Sequence, residues 1–170
     1  MNVTNRGVTF LELLVTLVII LILASVALPL TKISSKREKE LELSRTLRMV
    51  RTTIDDFRRD WARDQNNLTG PLCVKNQTSC KENTGITGYP KTLETLLGVE
   101  LSGEEAAVQD MPPKRYLRQI PIDPMTESKE WGLRCYQDEA DEDNWCGEDV
   151  FDIHTTSTGI GLNGIAYRDW

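Results

Sequence analysis

Histidine is nearly missing from this sequence, with one in 170 residues, and aromatic residues make up only 6%. A Ser-His-Asp arrangement from Ser157, His154 and Asp152 would lack the Gly-x-Ser-x-Gly elbow that presents such a nucleophile. Gly159-x-Gly161-x-x-Gly164 has dinucleotide spacing. Only six residues of this sequence follow it, too few for the helix and strand that hold a pyrophosphate, so a turn is expected there. Zinc-like cysteine spacing is also missing: Cys73 and Cys80 bracket six residues, and Cys135 and Cys146 bracket ten. There is no excess of positive charge. The net charge of −6 argues against nucleic acid, whose phosphates require a basic surface. A second long apolar run is missing too, which excludes a polytopic transporter. The expectation is therefore a chain with no catalytic residue, no bound metal and no nucleic-acid partner.

What is present is strongly partitioned. From Val8 to Leu30, 18 of 23 residues are apolar and Glu12 is the only charge. Such a strip needs lipid or a protein partner. At about 1.5 Å per residue it spans roughly 35 Å, enough to cross a membrane as a helix. A secretory signal peptide fits poorly, because no small-x-small cleavage site follows the run. Charge is divided as well. Residues 31–64 carry ten Lys/Arg and seven Asp/Glu, whereas residues 65–170 carry nine and eighteen. The acidic half is kept soluble by its charge.

Glu12 is the anomaly, since a lone carboxylate at membrane depth is costly unless a cation neutralises it. The leader Met1–Gly7, followed by Val8-Thr-Phe-Leu-Glu12-Leu-Leu-Val and later by Pro29, resembles the class III signal of type IV pilins and pseudopilins. Val8 stands where members of that family usually have Phe or Met. The resemblance implies cleavage after Gly7 by a prepilin peptidase and N-methylation of Val8. The new α-amine and a carboxylate neutralise each other where solvent is scarce. The resemblance thus implies that Glu12 of one subunit meets the N-terminus of its neighbour during assembly. The plainer alternative is that Glu12 snorkels to the headgroups of a monomeric anchor.

Beyond Pro29, expected to kink the helix, apolar residues fall at Leu43, Leu47, Val50, Ile54, Phe57 and Trp61. Their steps of 4, 3, 4, 3 and 4 describe one face of a helix. Glu42–Arg45 and Asp55–Arg59 are suitably spaced supporting pairs. One helix from about Val8 to about Arg63 would be roughly 85 Å long. The stripe is too short for a free coiled coil, so it is expected to pack on the chain's own head. Lys32, Lys36, Arg37 and Lys39 read as a solvated face of the stem.

From Asp64 to Tyr89 the helical pattern stops, and Asn66-Asn67, Gly70-Pro71, Asn83, Gly85 and Gly88 mark loop. Four cysteines allow three pairings. Cys73–Cys80 with Cys135–Cys146 is expected, because each bridge would staple a loop-rich stretch, and an oxidising periplasm suits disulfides. Thr92–Leu97 reads as a short helix capped by Thr92. The alternation of Val150/Asp152 against Phe151/Ile153 suggests a strand. Asn163-Gly164 signals a tight turn, and residues 167–170 suggest a last strand. The fold class expected is α+β. A long N-terminal helix, half transmembrane and half amphipathic, packs on a small antiparallel sheet. Its parts are a leader (1–7), an anchor and polymerisation helix (8–30), an amphipathic stem (31–64) and a periplasmic head (65–170).

A looser resemblance covers much of the head. Gly88-Tyr-Pro90, Leu93, Leu97, Tyr116-Leu, Ile120-Pro-Ile-Asp123-Pro124, Trp131-Gly, Val150-Phe-Asp152-Ile and Ser157-Thr-Gly159 are similar in order to the major pseudopilin of type II secretion systems. This implies a structural subunit of a pseudopilus, in the bacterial inner membrane with its head in the periplasm. The implied partners are further copies in a homo-oligomeric filament, minor pseudopilins, the prepilin peptidase, an inner-membrane platform protein, a cytoplasmic ATPase and membrane lipid. That subfamily holds a structural calcium through acidic side chains of its C-terminal loop. Here Ser157–Gly164 contains no carboxylate; the nearby acidic run Asp138, Glu139, Asp141, Glu142, Asp143 could offer ligands to a structural calcium, although it lacks the Gly and spacing of an EF-hand, and the disulfides are the alternative staple. The alternatives are a surface type IV pilus subunit for adhesion, motility or DNA uptake, and a monomeric membrane-anchored binding domain.

Overall fold

The computed structural model of the chain describes residues 9–104, 106, 110–139 and 144–170, and of 26–31 the backbone alone. Leader residues 1–7 and Val8, and acidic residues Asp141, Glu142 and Asp143, lie outside the described residues. The long helix α1 runs Phe10–Trp61. The chain divides into two compact units, Met1–Lys39 and Glu40–Trp170. The division falls inside the expected stem.

In the first unit, the described side chains of α1 are exposed on every face, apart from the half-buried Lys36. Phe10 is 82% exposed and Leu23 65%. Pro29 lies within α1.

In the second unit, α1 buries one face. Leu43, Leu47, Val50, Ile54, Phe57 and Trp61 are at most 2% exposed. Full burial of each such side chain contributes about 1.5–3 kcal/mol relative to exposure. Their partners in the core include Tyr89, Leu93, Leu96, Val99, Leu117, Trp131, Val150 and Ile153. Phe57 stacks on Trp61 and meets Tyr116 edge-on at 5.2 Å. Arg59 pairs with Asp56 at 2.6 Å.

The head departs from the expected single sheet. Among the described residues there are two separate two-stranded antiparallel ladders. Strands β1 (Arg63–Asp64) and β2 (Asn67–Leu68) form a hairpin directly after α1. Strands β3 (Gly132–Arg134) and β4 (Asp152–His154) pair Gly132 with His154 and Arg134 with Asp152. Strands of two or three residues cannot propagate a wider sheet, so turns and side chains take up the remaining backbone groups.

The stretch read as loop from Asp64 to Tyr89 contains this hairpin and two short helices, α2 (Pro71–Lys75) and α3 (Gln77–Asn83). Helices of five and seven residues are too short to show a period, although Pro71 opens α2 as Pro does at a first helical position. Gly88 closes the segment at φ +85°, and a Cβ there would lie 2.8 Å from the Arg63 nitrogen. Only glycine suits both constraints.

Three further expectations change in detail. Residues Leu93–Leu97 form a 3₁₀ helix, and Thr92 precedes it without capping it through its side chain; its hydroxyl meets that of Thr95. The alternation read at 150–153 fails: Val150 and Ile153 are buried while Phe151 is 41% exposed. The Val150 amide bonds Pro90 O and the Phe151 amide bonds Arg134 O, so regular pairing begins only at Asp152. Residues 167–169 form a 3₁₀ helix, not a strand, which turns Tyr167 inward. The Asn163-Gly164 turn is present. Gly164 has φ +82°, Gly161 N–H bonds Ile165 O, and Ile160 bridges Ala166.

Candidate functional site

At its start, α1 is organised by a pair of residues. Thr9 Oγ1 accepts the Glu12 backbone N–H at 3.3 Å, and Thr9 O accepts the Leu13 N–H at 3.1 Å. Thr9-x-x-Glu12 is therefore a capping-box sequence. Reading the strip only as an anchor misses this short-range signal. Its hydroxyl satisfies one of the unpaired amides of the first turn. Glu12 lies in that turn, where the positive end of the helix dipole favours a carboxylate. Glu12 is exposed, as are the apolar side chains around it. Gly7 and Val8, the expected cleavage and methylation positions, lie outside the described residues. No helix is long and apolar enough, among the described residues, to cross a membrane.

The head is held by buried carboxylates and two disulfides. Glu40 is 7% exposed; its Oε1 accepts the Leu162 N–H and the Tyr167 O–H, each at 2.8 Å. Burial, then the bond to Glu40, pushes the Tyr167 phenol up to about 12. Asp123, from the Pro-Ile-Asp-Pro sequence, is fully buried; it accepts the Met125 N–H at 2.8 Å and the Thr155 hydroxyl. Asp149 accepts the Tyr136 N–H at 3.0 Å and the Thr87 hydroxyl at 2.7 Å. In each case donors replace the lost water, which makes burial of the carboxylate tolerable.

Two more contacts tie α1 to the head. The Arg51 guanidinium reaches both Asp152 oxygens at 2.6 and 3.2 Å and the Trp170 carbonyl at 2.7 Å. Trp61 Nε1 donates to the Tyr116 hydroxyl at 2.9 Å, which donates to Asp60 at 2.8 Å. Burial and the bond to Asp60 raise the Tyr116 pKa. Sequence reading found the apolar stripe and missed Glu40, Arg51 and Asp60. Charged residues on a helix beside an apolar face give no local sign that they point inward.

Cys73 is bonded to Cys80 and Cys135 to Cys146. Cys73 and Cys80 are fully buried, whereas Cys146 is exposed. Asp138 lies near the second bridge, but both sulfurs are taken by the disulfide and Asp138 accepts the Cys135 N–H at 2.7 Å. That cluster does not suit calcium, which wants several oxygens. The turn 157–164 has no carboxylate of its own, and Glu40 from α1 is committed to its amide and to Tyr167. The residues of that loop do not fit the calcium that the resemblance implies. Of Ser157, His154 and Asp152, two have other partners: Asp152 holds Arg51, and the Ser157 hydroxyl accepts the Gly159 N–H, whereas His154 Nδ1 is buried without a hydrogen-bond partner.

A family model described as the prokaryotic N-terminal methylation motif matches residues 3–28. The matched segment contains Gly7, Val8, Thr9 and Glu12 and most of the apolar strip. No significant match appears among curated proteins or among solved structures. The match covers the N-terminal segment alone, the same segment whose residues resemble the signal of type IV pilins and pseudopilins.

Proposed function

We propose that the chain is a structural subunit of a type II secretion pseudopilus. A prepilin peptidase cuts after Gly7, Val8 becomes the methylated N-terminus, and the subunit waits in the inner membrane with its head in the periplasm. The anchor is the full strip Val8–Leu30, which extends beyond the exposed stretch 10–25. Assembly then exchanges lipid for the strips of neighbouring copies, driven by an ATPase and a platform protein. Pro29 lets the helix adjust its direction between strip and stem.

The observation that carries this reading is an apolar helical segment, exposed all round, with one carboxylate in its first turn, behind a methylation motif. Such a surface is stable only in lipid or against like surfaces. Glu12 meets the α-amine of the neighbouring Val8, which supplies both charge balance and register.

Mass spectrometry of the N-terminus tests the first step: loss of Met1–Gly7 is expected, with a methyl group on Val8. Glu12→Ala should abolish filaments while leaving membrane insertion intact. Normal filaments from that variant would refute the pairing. Restoration of export in a type II secretion mutant lacking its pseudopilin separates this role from that of a surface pilus.

A further inference from the structure

The C-terminal turn is where the resemblance implies calcium, and its chemistry here has the opposite sign. Calcium needs several oxygens turned toward it, carboxylates best. Residues 157–164 carry no Asp or Glu. Oxygens in and beside the turn already accept its own amides. Gly159 O takes the Tyr167 N–H at 3.1 Å, Gly161 O the Gly164 N–H at 3.0 Å, and Ile165 O the Gly161 N–H at 2.8 Å. Ser157 Oγ takes the Gly159 N–H at 3.3 Å, and Asn163 Oδ1 the Ile165 N–H at 3.0 Å. Carboxylates of the flanking chain have other partners: Asp152 holds Arg51 at 2.6 Å, and Asp169 lies 3.8 Å from Arg168 Nε.

Toward α1 the turn and the 3₁₀ helix after it offer donors. The Leu162 N–H and the Tyr167 O–H converge on one oxygen, Glu40 Oε1, each at 2.8 Å. Glu40 is 7% exposed, so these donors take the place of water around its carboxylate. The Tyr167 phenol, pushed up to about 12, stays a donor at neutral pH. A cation placed here would meet an N–H and an O–H, which repel it.

We infer that the C-terminal turn is a carboxylate-receiving site, filled within the chain by Glu40, and that the head holds this turn without calcium. Glu40 reaches Leu162 across 122 residues of sequence. It ties the turn to α1 as a bound cation would tie a loop to its ligands, with donor and acceptor exchanged. The ligand class of the site is a small carboxylate. The inference concerns the head alone and does not depend on the pseudopilus reading.

The test uses the full chain in detergent. In the native chain, amide exchange at Leu162 should be the same in excess EDTA and in excess calcium chloride. Glu40→Ala should speed that exchange about tenfold or more. Sodium formate should reverse most of the gain, because formate fits the space left by the side-chain carboxylate. Sodium chloride or calcium chloride at equal ionic strength should not. Formate should leave Glu40→Gln unchanged, since the amide side chain fills the same space. Faster Leu162 exchange of the native chain in EDTA would overturn the inference. So would a Glu40→Ala chain that calcium restores, or that formate does not. If Glu40→Ala fails to fold, the comparison of EDTA with calcium on the native chain decides alone.

Discussion

The Tyr167 hydroxyl donates to Glu40 Oε1 at 2.8 Å, joining residues 127 apart in sequence. The same oxygen accepts the Leu162 amide, so one carboxylate on α1 fixes both the C-terminal turn and the 3₁₀ helix that follows. Tyr167→Phe removes one bond and should cost about 1 kcal/mol. Glu40→Ala strands two donors and should cost about 1–3 kcal/mol, read from chemical denaturation. Amide exchange at Leu162 should quicken in Glu40→Ala and stay near native in Tyr167→Phe. Equal protection in both variants would contradict the role given to Glu40. The phenol, held up at about 12, should also titrate lower in Glu40→Ala.

Two neighbouring leucines should respond differently to truncation. Leu43 is fully buried and Leu41 is 53% exposed. Leu43→Ala should destabilise by about 2–5 kcal/mol through lost burial and a residual cavity. Leu41→Ala should change stability by no more than about 0.5 kcal/mol. Thermal unfolding of the detergent-solubilised chain compares them, and similar losses would disprove the burial assignment.

His154 makes stability depend on mildly acidic pH. Its pKa is lowered from 6.5, first by burial and then by Arg134 and Arg168, with Asp152 opposing. The folded state therefore favours the neutral ring more than the unfolded state does. That stabilisation is complete above about pH 6.5 and is lost as pH falls from there through the lower folded value. His154→Gln should flatten the pH dependence of the melting temperature between about pH 7 and 5. An unchanged slope would assign the acid sensitivity to other groups.

Gly132 faces the same ring across the β3–β4 ladder. A Cβ there would lie 2.2 Å from His154 Nε2. Gly132→Ala should therefore destabilise by about 1–3 kcal/mol. Adding His154→Ala should recover part of the loss, a coupling expected only for residues in contact. Additive losses would exclude that contact.

The disulfides should be reduced in order. Cys146 is exposed, whereas Cys73 and Cys80 are both fully buried. Limited reduction followed by alkylation and mass spectrometry should label Cys135 and Cys146 first. Each bridge closes a short loop, so removal of either should cost about 2–3 kcal/mol by loop-closure entropy. Simultaneous labelling of all four cysteines would show that access does not govern the order.

The amino-acid pattern determined much of this protein by itself. The strip with its single carboxylate, the methylation motif, and the stripe Leu43 to Trp61 are local or periodic signals, readable because burial on a helix repeats every three to four residues. The Asn163-Gly164 turn was legible for a similar reason, since its backbone demands a residue tolerant of positive φ. Only the tertiary structure decided how the head closes. Its strands are too short to show a period, and α2 and α3 too short to show a face. The inward turn of Glu40, Arg51, Asp123 and Asp149 depends on donors brought from distant parts of the chain. A charged residue in a sequence reads as surface; it becomes an interior clasp only when folding supplies the hydrogen bonds that replace water.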